Sequence, residues 1–363
     1  MSTTGDEMVE AITALLPRLL GMMDRLAVIA RHMHPPRLPD LVEWLGDGDT
    51  ELNQARDRLR AVPWPEEMTA FRDQLDLAAS HVLRAAEGLR VALTSTNAML
   101  GAYRAMRHAT RAQEALYPVT AVLPTVSQYF LEPGYRDDQD LLARLRQPVP
   151  DSGVMHSDNE TATRGGFSVY VPEYYDAARA HPVIVALHGG AGHGRLFLWT
   201  WIAEARSRGA ILIAPTAMGD TWSLMDPPID AANIARILDG VRARWTVDPA
   251  RMLLTGMSDG GTFTLLAGLD EDSPFTHLAP VAASFHPLLL TMTEPRRIRG
   301  LPILLTHGML DWMFPISVGR TANRTLTAAG AQVTYREIED LSHAYPRDRN
   351  PEIMDWFLGM AVG

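Results

Sequence analysis

The chain has 363 residues, 43 of them acidic and 33 basic, all 33 arginine, and no cysteine. A net charge of -10 disfavours nucleic acid or an anionic lipid surface as partner, and a composition 47% hydrophobic and 21% charged argues for a buried core rather than disorder. Without cysteine or lysine, disulfides, thiolate metal sites, a cysteine nucleophile, a P-loop lysine and a Ser-Lys pair are all excluded.

Met1 to Glu10 is acidic, and the apolar stretch after it is broken by Pro17, Arg18 and Asp24. No export signal is read there, no run of ~18 uncharged apolar residues occurs, and a cytoplasmic location without a membrane span is expected. Residues 1–131 read as a helical domain. Ile12, Leu15, Leu19, Met22, Leu26, Ile29 and Met33 fall on one side of a first helix that ends at His34-Pro35-Pro36. After Pro63-Trp64-Pro65, the positions Met68, Phe71, Leu75, Ala78, Val82, Ala85, Leu89 and Ala92 alternate spacings of three and four. That is the seam of a helix that packs on another helix. A third helix is expected over Asn97 to Leu116. Such seams need a partner, so this domain is expected to serve as a cap, a lid or a surface for homo-oligomerisation.

Residues 132–153, with an acidic Asp137-Asp138-Gln139-Asp140 run and Pro148-Val149-Pro150, read as a linker. Over 154–363 the pattern changes to strands alternating with helices, which predicts a mostly parallel sheet covered on both faces. Strands are expected at Phe167 to Val171, His181 to Leu187, Ala210 to Ala214, Arg251 to Thr255, Leu278 to Ala283, Ile303 to Thr306 and Gln332 to Glu337. Helices are expected at Ile229 to Trp245 and Pro351 to Met360. The fold class is α/β, preceded by an all-α domain.

Within this second domain, Leu253-Leu254-Thr255 runs into Gly256-Met257-Ser258-Asp259-Gly260, and a helix follows at once. A G-x-S-x-G segment in that setting holds its serine on a strained turn, where flanking glycines supply the room. A hydroxyl attacks at neutral pH only if a histidine takes its proton and a carboxylate orients the histidine. Asp311 and His343 each follow a predicted strand, in the order serine, acid, histidine, so Ser258, Asp311 and His343 are the candidate catalytic residues. Asp270 or Asp272 and His286 are the competitors, and chain order favours His343 over His286. His188-Gly189-Gly190 ends another strand, where glycines let backbone approach a substrate. The amides of Gly190 and Asp259 are the expected oxyanion donors, with the part of Ala191 left open. His188, Gly189, Trp222 and Trp312 are expected against the substrate. His188, His193 and His307 with Asp220 do not carry metal-ligand spacing, and no metal is expected.

With these motifs in view, the chain from Phe167 onward resembles the α/β-hydrolase superfamily, and within it the phospholipase/carboxylesterase and dienelactone-hydrolase-like esterases, including relatives of polyhydroxybutyrate depolymerases. The resemblance implies a cofactor-free hydrolase acting on a small-molecule ester through an acyl-enzyme. The helical domain departs from that pattern. Two other readings use the same residues differently: a thioesterase or peptidase with the same triad, and a helical interaction scaffold with a vestigial hydrolase domain.

Overall fold

A computed structural model describes residues 4–360. The chain divides into two compact units, Met1–Phe130 and Leu131–Gly363.

The first unit is helical: α1 (Thr4–His32), α2 (Leu38–Leu45), α3 (Gly48–Ala61), α4 (Thr69–Ala92), α5 (Ala98–Leu116) and α6 (Pro124–Tyr129). Most of both predicted seams is buried, Leu15, Leu19, Met22, Leu26 and Ile29 on α1 with Met33 just after it, and Leu75, Ala78, Val82, Ala85, Leu89 and Ala92 on α4, whereas Ile12, Met68 and Phe71 are half-buried. Small residues bring α4 and α5 close, since a Cβ on Gly88 would lie 2.8 Å from that of Ala105, and one on Gly101 2.9 Å from that of Ala92. Asn97 caps α5 by accepting the Leu100 N–H. Across this contact His81 Nδ1 lies 3.1 Å from His108 Nδ1. With ring centroids 5.3 Å apart and planes at 28°, the two imidazoles meet tip to tip and share one N–H···N bond.

The second unit is an eight-stranded sheet in the order β1-β2-β4-β3-β5-β6-β7-β8. The strands are β1 (Gly153–Ser157), β2 (Phe167–Val171), β3 (His181–Leu187), β4 (Ile211–Pro215), β5 (Val247–Met257), β6 (His277–Val281), β7 (Pro302–Gly308) and β8 (Gln332–Ile338). From β4 through β8 all neighbours run parallel, whereas β2 is antiparallel to both β1 and β4. Its helices are α7 (Gln139–Leu145), α8 (Gly194–Phe197), α9 (Ile202–Arg208), α10 (Pro228–Arg244), α11 (Asp259–Gly268), α12 (Pro295–Ile298), α13 (Ile316–Ala328) and α14 (Asn350–Leu358). The central strands are apolar because both faces are covered: Val183, Val185 and Leu187 of β3 and Met252 and Leu254 of β5 share one core with Ile234, Ile237, Leu238 and Val241 of α10. This is the mostly parallel sheet flanked by helices, preceded by a helical unit, that the sequence predicts.

The expected linker, 132–153, is instead part of the second unit. Leu131, Leu141 and Leu145 pack together with Tyr135, Leu142 and Tyr174. Arg208 of α9 makes a two-pronged contact with Glu132, at 2.6 and 2.7 Å, and also pairs with Asp355. No helix among the described residues is long and apolar enough to cross a membrane.

Candidate active site

Strand β5 ends at Met257, and Ser258 follows with φ +56° and ψ -119° before α11 begins. Such a backbone is costly for a residue with a side chain, so the surroundings must enforce it. They do: the Ser258 N–H donates to the Val281 carbonyl of β6 at 2.9 Å. The turn is so tight that a Cβ on Gly256 would lie 2.5 Å from the Gly260 carbonyl oxygen, and one on Gly260 2.4 Å from that of His188. Glycine is required at both positions for this reason.

His343, in the segment after β8, stands between two partners. Its Nε2 lies 3.0 Å from Ser258 Oγ and its Nδ1 2.9 Å from Asp311 Oδ2. Asp311 follows β7, and its other oxygen, Oδ1, accepts the N–H groups of Met313 at 2.9 Å and Phe314 at 2.8 Å. Burial raises the Asp311 pKa, but the hydrogen bonds from His343 and these two amides outweigh it and hold the group below its usual carboxylate value. A persistent carboxylate fixes the Nδ1–H tautomer of His343, leaving Nε2 to accept from the serine hydroxyl. Ser258 is 7%, His343 4% and Asp311 6% exposed. Phe314 meets the His343 ring edge-on at 5.4 Å, and the Tyr345 hydroxyl donates to Asn350 Oδ1 at 2.9 Å, tying down the histidine-bearing segment.

The turn after β3 lies against the serine, since a Cβ on Gly189 would meet that of Ser258 at 3.6 Å. His188 sets this turn's shape. Its Nε2 accepts the Ala217 N–H at 3.1 Å, so the proton sits on Nδ1, which donates to the Gly189 carbonyl at 2.7 Å. Burial pushes its pKa down to about 3, so the ring stays neutral. The Gly192 N–H also donates to the Gly189 carbonyl, at 3.0 Å. A planar trans peptide then aims the Gly190 N–H away from that carbonyl. The Ala191 N–H is engaged by the Asp220 carbonyl at 3.1 Å.

Two expectations are corrected here. His188 is 1% exposed with both ring nitrogens engaged, so it supports the turn and does not reach a substrate. Trp222, only 2% exposed, is not a pocket wall: it stacks on Phe263, packs on the His188 ring and donates Nε1–H to the His188 carbonyl at 2.7 Å. Trp312 is 46% exposed beside Asp311. His193 contacts the carbonyls of Glu160 and Thr163, and His307 donates to that of Phe314 at 2.8 Å. His286 is exposed and caps a short turn through its contact with the Leu288 N–H. The sequence did not single out Phe314 or Tyr345, although both are aromatic and lie two or three residues past a candidate. Nor did it single out Thr221, whose hydroxyl donates to Asp259 Oδ2 at 2.6 Å.

Residues 231–357, which include Ser258, Asp311 and His343, match the model of a family described as Phospholipase/Carboxylesterase. The phospholipase/carboxylesterase part of the resemblance drawn from the motifs is thereby borne out over those residues. No curated protein matches the chain. Solved structures similar to it include a thermostable esterase (18% identity over 60% of this chain and 64% of that one, TM-score 0.47). Others are the Pyrococcus horikoshii acylaminoacyl peptidase (18%, 56% and 41%, TM-score 0.46) and Thermogutta terrifontis esterase 2 (18%, 59% and 97%, TM-score 0.45). The chain spans under two thirds of the length of the first two.

Proposed function

We propose that the second unit is a serine hydrolase of carboxylic esters, with Ser258 as nucleophile, His343 as general base and acid, and Asp311 as the carboxylate that orients it. The observation that carries this reading is the continuous hydrogen-bonded chain from Ser258 Oγ through His343 to Asp311. His343 Nε2 takes the serine proton as Oγ attacks the ester carbonyl. The imidazolium, steadied by Asp311, then protonates the leaving alcohol, and water releases the acid by the same two steps. The N–H groups of Gly190 and Asp259 hold the oxyanion. In support, the Ala191 N–H is already engaged, and His188 turns the 189–190 peptide so that the Gly190 N–H faces away from the bonded carbonyl. Trp312, exposed beside the acid, lines the approach.

The helical unit we assign a scaffolding or self-association role in preference to that of a lid. Its seam residues on α1 and α4 are consumed in its own core.

Ser258→Ala is expected to lower kcat on a p-nitrophenyl ester by roughly a million-fold with the fold intact, and to abolish labelling by a fluorophosphonate. Near-parental turnover or labelling in that variant refutes the assignment. Matched ester, thioester and amide substrates compared by kcat/KM test the preference for esters.

A further inference from the structure

Asp259 carries an acidic side chain on the residue whose backbone N–H is assigned to the oxyanion. Its carboxylate is close to the other assigned donor as well: a Cβ on Gly190 would lie 2.7 Å from Asp259 Oδ2. Two features seat this carboxylate. Asp259 is the first residue of α11, where the unpaired helix amides favour a negative charge, and the Thr221 hydroxyl donates to Oδ2 at 2.6 Å. Among the described residues no ion pair reaches this carboxylate, and the side chain is partly exposed. The guanidinium of Arg164 interacts with Asp220 and Asp230; its Nε and Nη1 donate to the carbonyls of Gly219 and Gly192, and its buried Nη2 has no hydrogen-bond partner among the described residues.

An uncompensated anion beside a group that must stabilise a second, developing anion opposes the reaction. The opposition disappears when the substrate brings a cation to Asp259. The charge then becomes a selector: it aids substrates bearing a positive group near the ester and penalises those bearing a negative one. The overall charge of -10 favours encounter with the same class.

Resting on the ester-hydrolase reading above, we propose that Asp259 is a specificity-determining residue, and that the site prefers esters carrying an ammonium or other cation within a few bonds of the carbonyl.

The test compares kcat/KM for three p-nitrophenyl esters of matched shape, with acyl chains ending in trimethylammonium, tert-butyl and carboxylate. The cationic ester is expected to lead the neutral one by about ten-fold or more at low ionic strength, with the lead shrinking as salt is added, and the anionic ester to trail both. Asp259→Asn should bring the cationic-to-neutral ratio close to one whatever it does to the absolute rate, while Asp259→Glu keeps the order. Labelling by a neutral fluorophosphonate shows that the site of each variant is assembled. A parental ratio near one overturns the proposal, as does an unchanged ratio in a labelled Asp259→Asn protein. That outcome differs from failure of the ester reading, which would show as no hydrolysis of any of the three and no labelling of the parent.

Discussion

Two histidine contacts, one in each unit, the first buried and the second half-buried, differ in the partner of the ring. His343 faces a carboxylate, Asp311, whereas His81 faces another imidazole, His108. The carboxylate accepts the N–H of its ring, whereas the facing imidazoles resist full protonation, because a proton on each facing nitrogen would set two donors and two charges 3.1 Å apart. Desolvation, the facing His108 and the guanidinium groups of Arg84 and Arg111 push His81 down to about 4, and desolvation with the same two arginines lowers His108. The lesson is that a histidine's environment is set by what its neighbour can accept. A base that must cycle through a charged state needs a carboxylate behind it.

The strongest way to break this contrast is Asp311→Asn. It keeps the shape but removes the charge and admits the wrong tautomer of His343, so kcat should fall by about 10⁴-fold, measured on a neutral ester. A fall under ten-fold would mean that the carboxylate is not what orients the ring. In the helical unit the effects are on stability. Both histidines have folded pKa values below the ordinary 6.5, so the unfolded chain binds more protons as pH falls. Stability is therefore full above 6.5 and is lost from there down towards 4. After allowance for solvent screening of these half-exposed rings, the loss is about 1–2 kcal/mol. Thermal unfolding of the full chain followed by helix signal between pH 7.5 and 4.5 should show it, and the double variant His81→Leu, His108→Leu should flatten the profile.

His108→Asp sharpens the comparison by building a histidine–carboxylate contact like that of His343 and Asp311 into the helices. It should raise the pKa of His81 and reverse the slope, so that the added stability is present below 6.5 and disappears as pH rises. The smallest effect expected is that of Trp222→Phe. It strands the His188 carbonyl without its indole donor and should lower kcat about ten-fold with little change in KM. An equal rise in KM would restore Trp222 to the substrate.

How much of this was legible follows from what each signal reports. The elbow at Ser258 could be read because strand, small-residue turn and helix are all local, and the closeness of Gly256 to the Gly260 carbonyl and of Gly260 to that of His188 explains why both glycines must stay small. His343 could be chosen over His286 from chain order alone, because a parallel sheet brings strand ends together. Trp222 and His188 misled because position after a strand says nothing about which way a side chain turns, and both turn inward. Strand β1 went unseen because it is a short, half-exposed edge strand, with little apolar pattern to mark it. Helices α2 and α3 went unseen because the prolines at 35 and 36 were read only as an ending, although Leu38, Leu41, Val42 and Leu45 bury a complete stripe. The charged, proline-bearing stretch 132–153 looked like a spacer because its apolar residues are few and two of their partners, Leu131 and Tyr174, lie outside it.

Where the protein can be cut follows from Glu132. Arg208 and Glu132 are both almost wholly buried, and the Glu132 N–H also donates to Ser207 Oγ at 2.9 Å. Trimming the chain to Val154 would remove this carboxylate and leave the buried guanidinium with Asp355 as its one remaining partner among those named, against a domain stability of only about 5–15 kcal/mol. A fragment that begins at Leu131 keeps the pair. Inactivity of the shorter fragment would therefore report the loss of Glu132 and say nothing about what the helices do.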